Sequence, residues 1–334
     1  MIYFHVPGAK STECTDLGHC HPLVEKAVWI DLYQPTEQED IIMEAALQID
    51  IPTQPEMQEI ELSSRLYKEG EDLFMTATVL TNVNVGSPES TPVTFILSNN
   101  RLITVRHAEP LPFRAFHVKW NAEPSRYDSG EKAFEGLMDS IIDRIADILE
   151  QSGTNLDGLS HEIFRPSKNG GDTSGMSAAS AKGQRRDLEG LLNRLGHNSE
   201  LISKVRESTV SLGRLMSFFR SVQKGAPPEL IERFDSLIRD LGPLTDHASF
   251  LSTKVNFLLD ATLGLINIEQ NTIIKTFTIA AVFFLPPTVV GTIYGMNFDH
   301  MPELKWSLGY PFAIVLMILS GIVPYYYFKR RGWF

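Results

Sequence analysis

TFTIAAVFFLPPTVVGTIY, residues 276–294, is followed by the linker GMNFDHMPELKW, residues 295–306, and then by GYPFAIVLMILSGIVPYYYF, residues 309–328. Each apolar stretch is about 20 residues long, enough to cross the hydrocarbon core of a bilayer as a helix rising ~1.5 Å per residue. A helical hairpin in a soluble core is the alternative. It fits poorly, because the first stretch has no charged residue after Lys275 and the second has none before Lys329. The second stretch ends at Lys329-Arg330-Arg331, a basic cluster of the kind that stays on the cytoplasmic side of a membrane. The hairpin therefore reads as two membrane spans.

Working outward, the chain has 334 residues, room for two domains at roughly 150 residues each. Mean hydropathy is near zero, so a large soluble part precedes a C-terminal anchor. Met1 to Lys10 lacks the basic and apolar regions of a signal peptide. A hairpin returns the chain to its starting side, which predicts both termini and the soluble bulk in the cytoplasm. Net charge is −11, yet the membrane-flanking residues are basic. The acidity then belongs to the soluble part, against nucleic acid and in favour of cations as partners. Cys14 and Cys20 provide no disulfide framework. Together with His5, His19 and His21 they carry soft or borderline donor atoms, but without a zinc-ribbon spacing; a surface loop is the plainer reading.

Three regions are expected: an N-terminal α/β domain over 1–130, a helical domain and stalk helix over 131–271, and the transmembrane hairpin over 272–334. In the first, Ala27 to Leu32, Leu73 to Leu80 and Val93 to Leu97 read as strands. Thr36 and Glu39 have capping-box spacing at the start of a helix. Asn99-Asn100 reads as a hairpin turn, since asparagine tolerates positive φ. From about Lys132, Phe134, Leu137, Ile141, Ile145 and Ile148 recur at helical spacing. Pro166 to Gly183 reads as a loop, and Gln184 to Gln223 as a second long amphipathic helix. Pro227-Pro228 suits a helix's first turn. No clear stop follows before Tyr294, apart from kinks at Gly242-Pro243 and Pro286-Pro287. A helix of that length, on the order of 100 Å, has to leave the soluble part and enter the membrane.

Along this helix a period of 3.5 picks out Asp246, Phe250, Thr253, Phe257, Asp260, Gly264, Asn267, Asn271, Ile274, Thr278, Ala281, Leu285, Thr288 and Thr292. A dry seam would be Leu, Ile and Val. Polar groups at membrane depth tend to face a bundle interior or a water-filled cavity, although threonine can also satisfy itself by bonding to its own helix. A pore needs several copies of the chain, because one hairpin encloses nothing.

Tyr294-Gly295-Met296-Asn297 followed by Met301-Pro302-Glu303-Leu304 closely resembles the signature of the CorA family of divalent-cation channels. Tyr327-Phe328-Lys329-Arg330-Arg331-Gly332-Trp333 resembles that family's C-terminus. Lys254 to Leu258, Asn267 to Asn271 and Phe284 to Thr288 are similar to its proteobacterial branch. The likeness in motif runs from about Leu191 to the end; the N-terminal third matches in architecture. The related zinc-transporting ZntB branch usually has Gly-Val-Asn or Gly-Ile-Asn, which Met296 does not fit.

The resemblance implies an α+β cytoplasmic domain, a mixed sheet with helices, leading into a very long helix and a two-helix transmembrane hairpin, assembled as a homopentameric funnel. It implies a multi-pass protein of the bacterial inner membrane that carries Mg2+, with Co2+, Ni2+ or Zn2+ as further candidates, and that has divalent ions, the lipid bilayer and its own copies as partners. Family pore positions fall on Asn271, Ile274, Phe277 or Thr278, Ala281, Leu285, Thr288, Thr292 and Asn297; some members have glycine where this chain has Thr292. The family's use of acids between subunits to sense cytosolic Mg2+ points to Asp240, Asp246 and Asp260. At the outer mouth, Gly295, Met296 and Asn297 form the selectivity segment. Mg2+ dehydrates reluctantly, and five neutral Asn297 carboxamides can accept hydrogen bonds from its bound waters without trapping the ion by charge. Asp299 and Glu303 can concentrate cations there, or be ordinary solvated loop charges. Two alternatives stand: a transition-metal transporter of the same fold, and a membrane-anchored sensor or scaffold. No phosphate-binding glycine loop, nucleophile elbow or His-Glu-x-x-His motif suggests an enzyme.

Overall fold

The computed structural model describes residues 1–14, 17–83, 87–164, 188–223, 227–296, 302 and 306–331, with residues 17–21 described by backbone alone. The chain divides into two compact units, Met1–Leu259 and Asp260–Phe334.

The first unit is built on a mixed sheet of seven strands in the order β2-β1-β3-β7-β6-β5-β4. The strands are β1 (Ile2–His5), β2 (Thr12–Cys14), β3 (Trp29–Tyr33), β4 (Leu66–Glu69), β5 (Asp72–Thr81), β6 (Glu89–Ser98) and β7 (Arg101–Arg106). Only β3 and β7 pair in parallel; every other pairing is antiparallel. The turn expected at Asn99-Asn100 joins β6 to β7. Ser98 pairs with Arg101, so the two asparagines are its central residues, with φ of 46° and 63°. Positive φ at both positions is the type I′ geometry whose twist matches that of the strands.

Helices α1 (Leu17–Lys26), α2 (Glu37–Leu47), α3 (Gln54–Met57) and α4 (Leu62–Arg65) precede β4, and α5 (Leu111–Ala122) and α6 (Gly130–Phe164) follow β7. The box at the start of α2 is present: the Glu39 amide donates to Thr36 Oγ1 at 3.3 Å, and the Thr36 amide donates to Glu39 Oε2 at 2.8 Å. The first of the expected strands starts later than Ala27, because the Ala27 amide still bonds back to Leu23 at the end of α1. Side chains of successive strand residues point to opposite faces. Ile30, Leu32, Ile103 and Val105 therefore meet Met43, Leu47 and Met57 on one face, while Trp29 meets Phe113, Phe116 and Trp120 on the other. A Cβ on Gly130 would lie 2.3 Å from the Arg101 carbonyl carbon, so only glycine lets α6 start against that turn.

The next two helices are α7 (Leu188–Val222) and α8 (Pro228–Tyr294). Helix α7 is bonded to β5: Ser208 Oγ donates to the Thr78 carbonyl at 2.7 Å, and Ser211 Oγ accepts from the Thr78 amide at 3.0 Å. Phe134, Phe219 and Phe234 join α6, α7 and α8 through ring contacts of 4.4–5.4 Å. The loop expected at Pro166 to Gly183 lies outside the described residues.

A polar cluster is buried on the aromatic face. Asp31, fully buried, accepts from Arg106 Nη2 at 2.8 Å and from Thr104 Oγ1 at 2.7 Å. His117 Nε2 lies 3.5 Å from the same carboxylate, and His117 Nδ1 is 2.9 Å from Nε2 of buried His5. Burial works to raise the Asp31 pKa, but the Arg106 charge and the bonds from His117 and Arg106 outweigh it and hold the carboxyl below the usual range. Burial, helped by the neighbouring His117, pushes His5 down to about 3. His5 is stacked on Trp29 at 3.8 Å, and among the described residues it belongs to no metal-sized cluster of histidines, cysteines and acids. Cys14 is disulfide-bonded, unlike the reading from sequence, and a bonded sulfur offers no thiolate to a metal. The side chains of His19, Cys20 and His21 lie outside the described residues.

Candidate functional site

Asp260–Phe334 contains the end of α8 and helix α9 (Gly309–Arg330). Among the described residues, α8 and α9 are the two helices long and apolar enough to cross a membrane. Their most apolar windows are 0% and 11% buried, whereas the core helix of a soluble protein would be mostly covered. The two helices meet through glycine. A Cβ on Gly321 of α9 would lie 3.3 Å from the Phe283 carbonyl oxygen and 3.3 Å from Pro287 Cγ. Met317 Sδ sits 3.7 Å from the position of a Cβ on Gly291. Small residues at such crossings let backbones approach closely without a hydrophobic driving force. Neither glycine stood out in the sequence, although pairs of small residues on apolar helices are a usable signal.

Helix α8 carries every candidate pore position that is described except Gly295 and Met296, which follow its last turn. Asn271, Ile274, Phe277, Thr278, Ala281, Leu285, Thr288 and Thr292 are all exposed in a single chain. Thr278, Thr288 and Thr292 each donate their hydroxyl proton to the carbonyl four residues earlier, at 2.8, 2.7 and 2.8 Å. This satisfies the donor, which an apolar medium would otherwise penalise. It leaves the hydroxyl oxygen as an outward acceptor, suited to the hydrogens of water.

At the end of α8, the Gly295 amide bonds to Gly291 O at 3.0 Å and to Thr292 O at 3.2 Å, and the Met296 amide bonds to Ile293 O at 3.3 Å. The helix thus tightens as it ends. Asn297, Asp299 and Glu303 lie outside the described residues. Asp240, Asp246 and Asp260 are exposed on α8, and among the described residues no three acids, histidines or cysteines gather into a metal-sized cluster. At the other end of the hairpin, Lys329 and Arg331 lie over the rings of Tyr325 and Tyr327, at 5.8 and 5.5 Å.

The family of CorA-like Mg2+ transporter proteins matches residues 24–330. The chain belongs to that family. The magnesium transport protein CorA of Escherichia coli K12 is 34% identical over 319 residues, 95% of each chain. That of Salmonella typhimurium is 34% identical over 308 residues, 92% of each. The complete structure of the CorA magnesium transporter from Methanocaldococcus jannaschii matches with a TM-score of 0.71 and 18% identity, over 100% of this chain and 99% of that one. The expected fold class, a mixed-sheet domain with a very long helix and a C-terminal apolar helix, is therefore a CorA fold. Membership also makes the molecule an ion transporter and not an enzyme, and it sets aside the membrane-anchored sensor or scaffold.

Proposed function

We propose that this chain is one subunit of a homopentameric, passive Mg2+ uptake channel of the bacterial inner membrane, driven by the membrane potential, with both termini in the cytoplasm. The observation that carries this reading is the exposed stripe from Asn271 to Thr292 on α8, one amide, three threonine hydroxyls and Ala281 interleaved with Ile274 and Leu285, whose threonine oxygens remain free as acceptors. One copy leaves that stripe uncovered; a ring of α8 helices turns it into a wall for a hydrated ion. Such a wall offers oxygen donors, which suit a hard ion such as Mg2+. Flux into liposomes containing only the purified protein, run in parallel with Mg2+, Co2+, Ni2+ and Zn2+, is expected to show Mg2+ passage. A preference for Zn2+ would transfer the reading to a transition-metal transporter.

Asn297, with Gly295 and Met296, is the outer selectivity segment in this reading, and Asp299 and Glu303 lend charge to the mouth. Asn297→Ala should abolish Mg2+ uptake while leaving the assembled size unchanged. Near-normal uptake by an assembled variant would place selection elsewhere.

Asp240, Asp246 and Asp260 are the proposed sensors of cytosolic Mg2+. A cation shared between neighbouring copies favours one arrangement; without it, the carboxylates repel and favour the other. Replacing all three by Asn should weaken inhibition by internal Mg2+ in an excised patch without removing conduction. An unchanged inhibition curve would move the sensor to other acids.

A further inference from the structure

Within Met1–Leu259, α4, β5, α7 and α8 line a half-open cavity of about 450 Å3, in the ~300–1,000 Å3 range of small-molecule sites. Ser199, Ser203, Arg206, Val210 and Arg214 line it at steps of four, three, four and four residues, one face of α7. Arg65 enters from the end of α4. Its Nη2 donates to Thr78 Oγ1 at 3.0 Å, while its Nε is buried without a hydrogen-bond partner. The lining therefore holds three guanidinium groups and one carboxylate, Glu207, in a chain whose net charge is −11. Glu207 is engaged by Ser90 Oγ at 3.2 Å, and among the described residues neither Arg206 nor Arg214 has a carboxylate within ion-pair distance. Arg206 and Arg214 are both exposed. A buried orphan donor and two free arginines over a cavity lined with hydroxyls are a site for an anion with several oxygens, which planar guanidinium groups bind bidentately.

The cavity's remaining wall narrows the class of anion. Ile60, Leu62 and Val210 are 91%, 51% and 39% exposed, and all three line the same cavity. Inorganic phosphate would leave this apolar wall uncovered. We propose that the cavity binds a nucleoside polyphosphate, with its phosphates on Arg65, Arg206 and Arg214 and its base against Ile60, Leu62 and Val210.

The test is calorimetric titration of the full-length protein in detergent with ATP, pyrophosphate and adenosine, in a buffer containing chelator so that ATP cannot act by withdrawing Mg2+. ATP is expected to bind once per chain, pyrophosphate about tenfold more weakly, and adenosine not measurably. The double variant Arg206→Ala/Arg214→Ala, which removes two exposed side chains, should keep the ligand-free melting temperature and lose on the order of 100-fold in ATP affinity. Absence of saturable ATP binding overturns the proposal, as does undiminished binding by the double variant. Pyrophosphate binding as tightly as ATP overturns the nucleotide assignment. A smaller assembly in the double variant, with no ATP binding by the parent, would show that carboxylates of a second copy fill the cavity, and would overturn it too.

Discussion

Helices α6 and α9 are both rich in apolar residues, yet their solvents differ. In α6, Phe134, Leu137, Ile141, Ile145 and Ile148 are buried along one side, while half-buried Asp139 and exposed Asp143 lie on the other, 3.4 and 3.5 Å from Lys119 Nζ. In α9 no charge interrupts the sequence before Lys329, and Ala313 and Gly321 are its buried residues. An apolar stripe marks a helix that keeps one face in water; apolar residues on every face mark one that water does not surround. The same contrast holds for polar groups. The soluble unit buries a carboxylate and answers it with a guanidinium, whereas in the apolar stretch of α8 the hydroxyls of Thr278, Thr288 and Thr292 are answered from their own backbone.

The contrast predicts where a charge matters. Asp31→Ala leaves Arg106 buried without its partner and should destabilise the soluble unit by about 3–5 kcal/mol, read from denaturant unfolding. A loss below ~1 kcal/mol would mean that the cluster reorganises. Ile318, 54% exposed in one chain, lies on the lipid side of the comparison. Ile318→Arg puts a charge at the centre of a span, at a cost of about 2.5–3.5 kcal/mol for insertion, and should deplete the protein from the membrane fraction. Val118, 71% exposed on α5, is the control: Val118→Arg should change stability by no more than about 0.5 kcal/mol. If both variants behave alike, the distinction between the two solvents fails.

A subtler prediction uses pH. The His5 pKa is lowered from 6.5 to about 3, so the unfolded chain takes up a proton there before the folded one does. Its contribution is fully present above pH 6.5 and is lost as pH falls toward 3, by up to about 1.4 kcal/mol per pH unit. Between pH 7 and 5, His5→Gln should flatten the decline in melting temperature. Parallel curves would show that His5 does not carry it.

The hairpin, the long helix and the strands at β5 and β6 are legible in the sequence because each depends on local pattern: hydropathy over about 20 residues, or a period of two or 3.6. The Asn99-Asn100 turn and the Thr36 box are legible because their chemistry is written within four residues. What escapes is non-local. Ile2–His5 shows no clear strand pattern, and its place in the sheet rests on β2 and β3 beside it. Asp31, Thr104 and Arg106 look like ordinary polar residues until β3 and β7 align. Arg206 and Arg214 share one face of α7, but Arg65 comes from α4, an element that no spacing relates to them. The candidate ion path was readable as a stripe, but the fit of Gly321 against Phe283 and Pro287 was not.

The parallel pairing of β3 with β7 also bears on how the chain reaches its fold. Asp31 faces Thr104 in that pairing, with β4, β5 and β6 lying between them in sequence. The antiparallel ladder from β4 to β7 can form by local zipping; joining it to β1, β2 and β3 needs a long loop to close first, which is slow. A slip of one residue at that joint would turn Asp31 toward the aliphatic face, away from Arg106. A register in which the carboxylate is stranded in hydrocarbon would carry the full cost of an unpaired buried charge, so the ion pair penalises misaligned docking of the sheet's two halves.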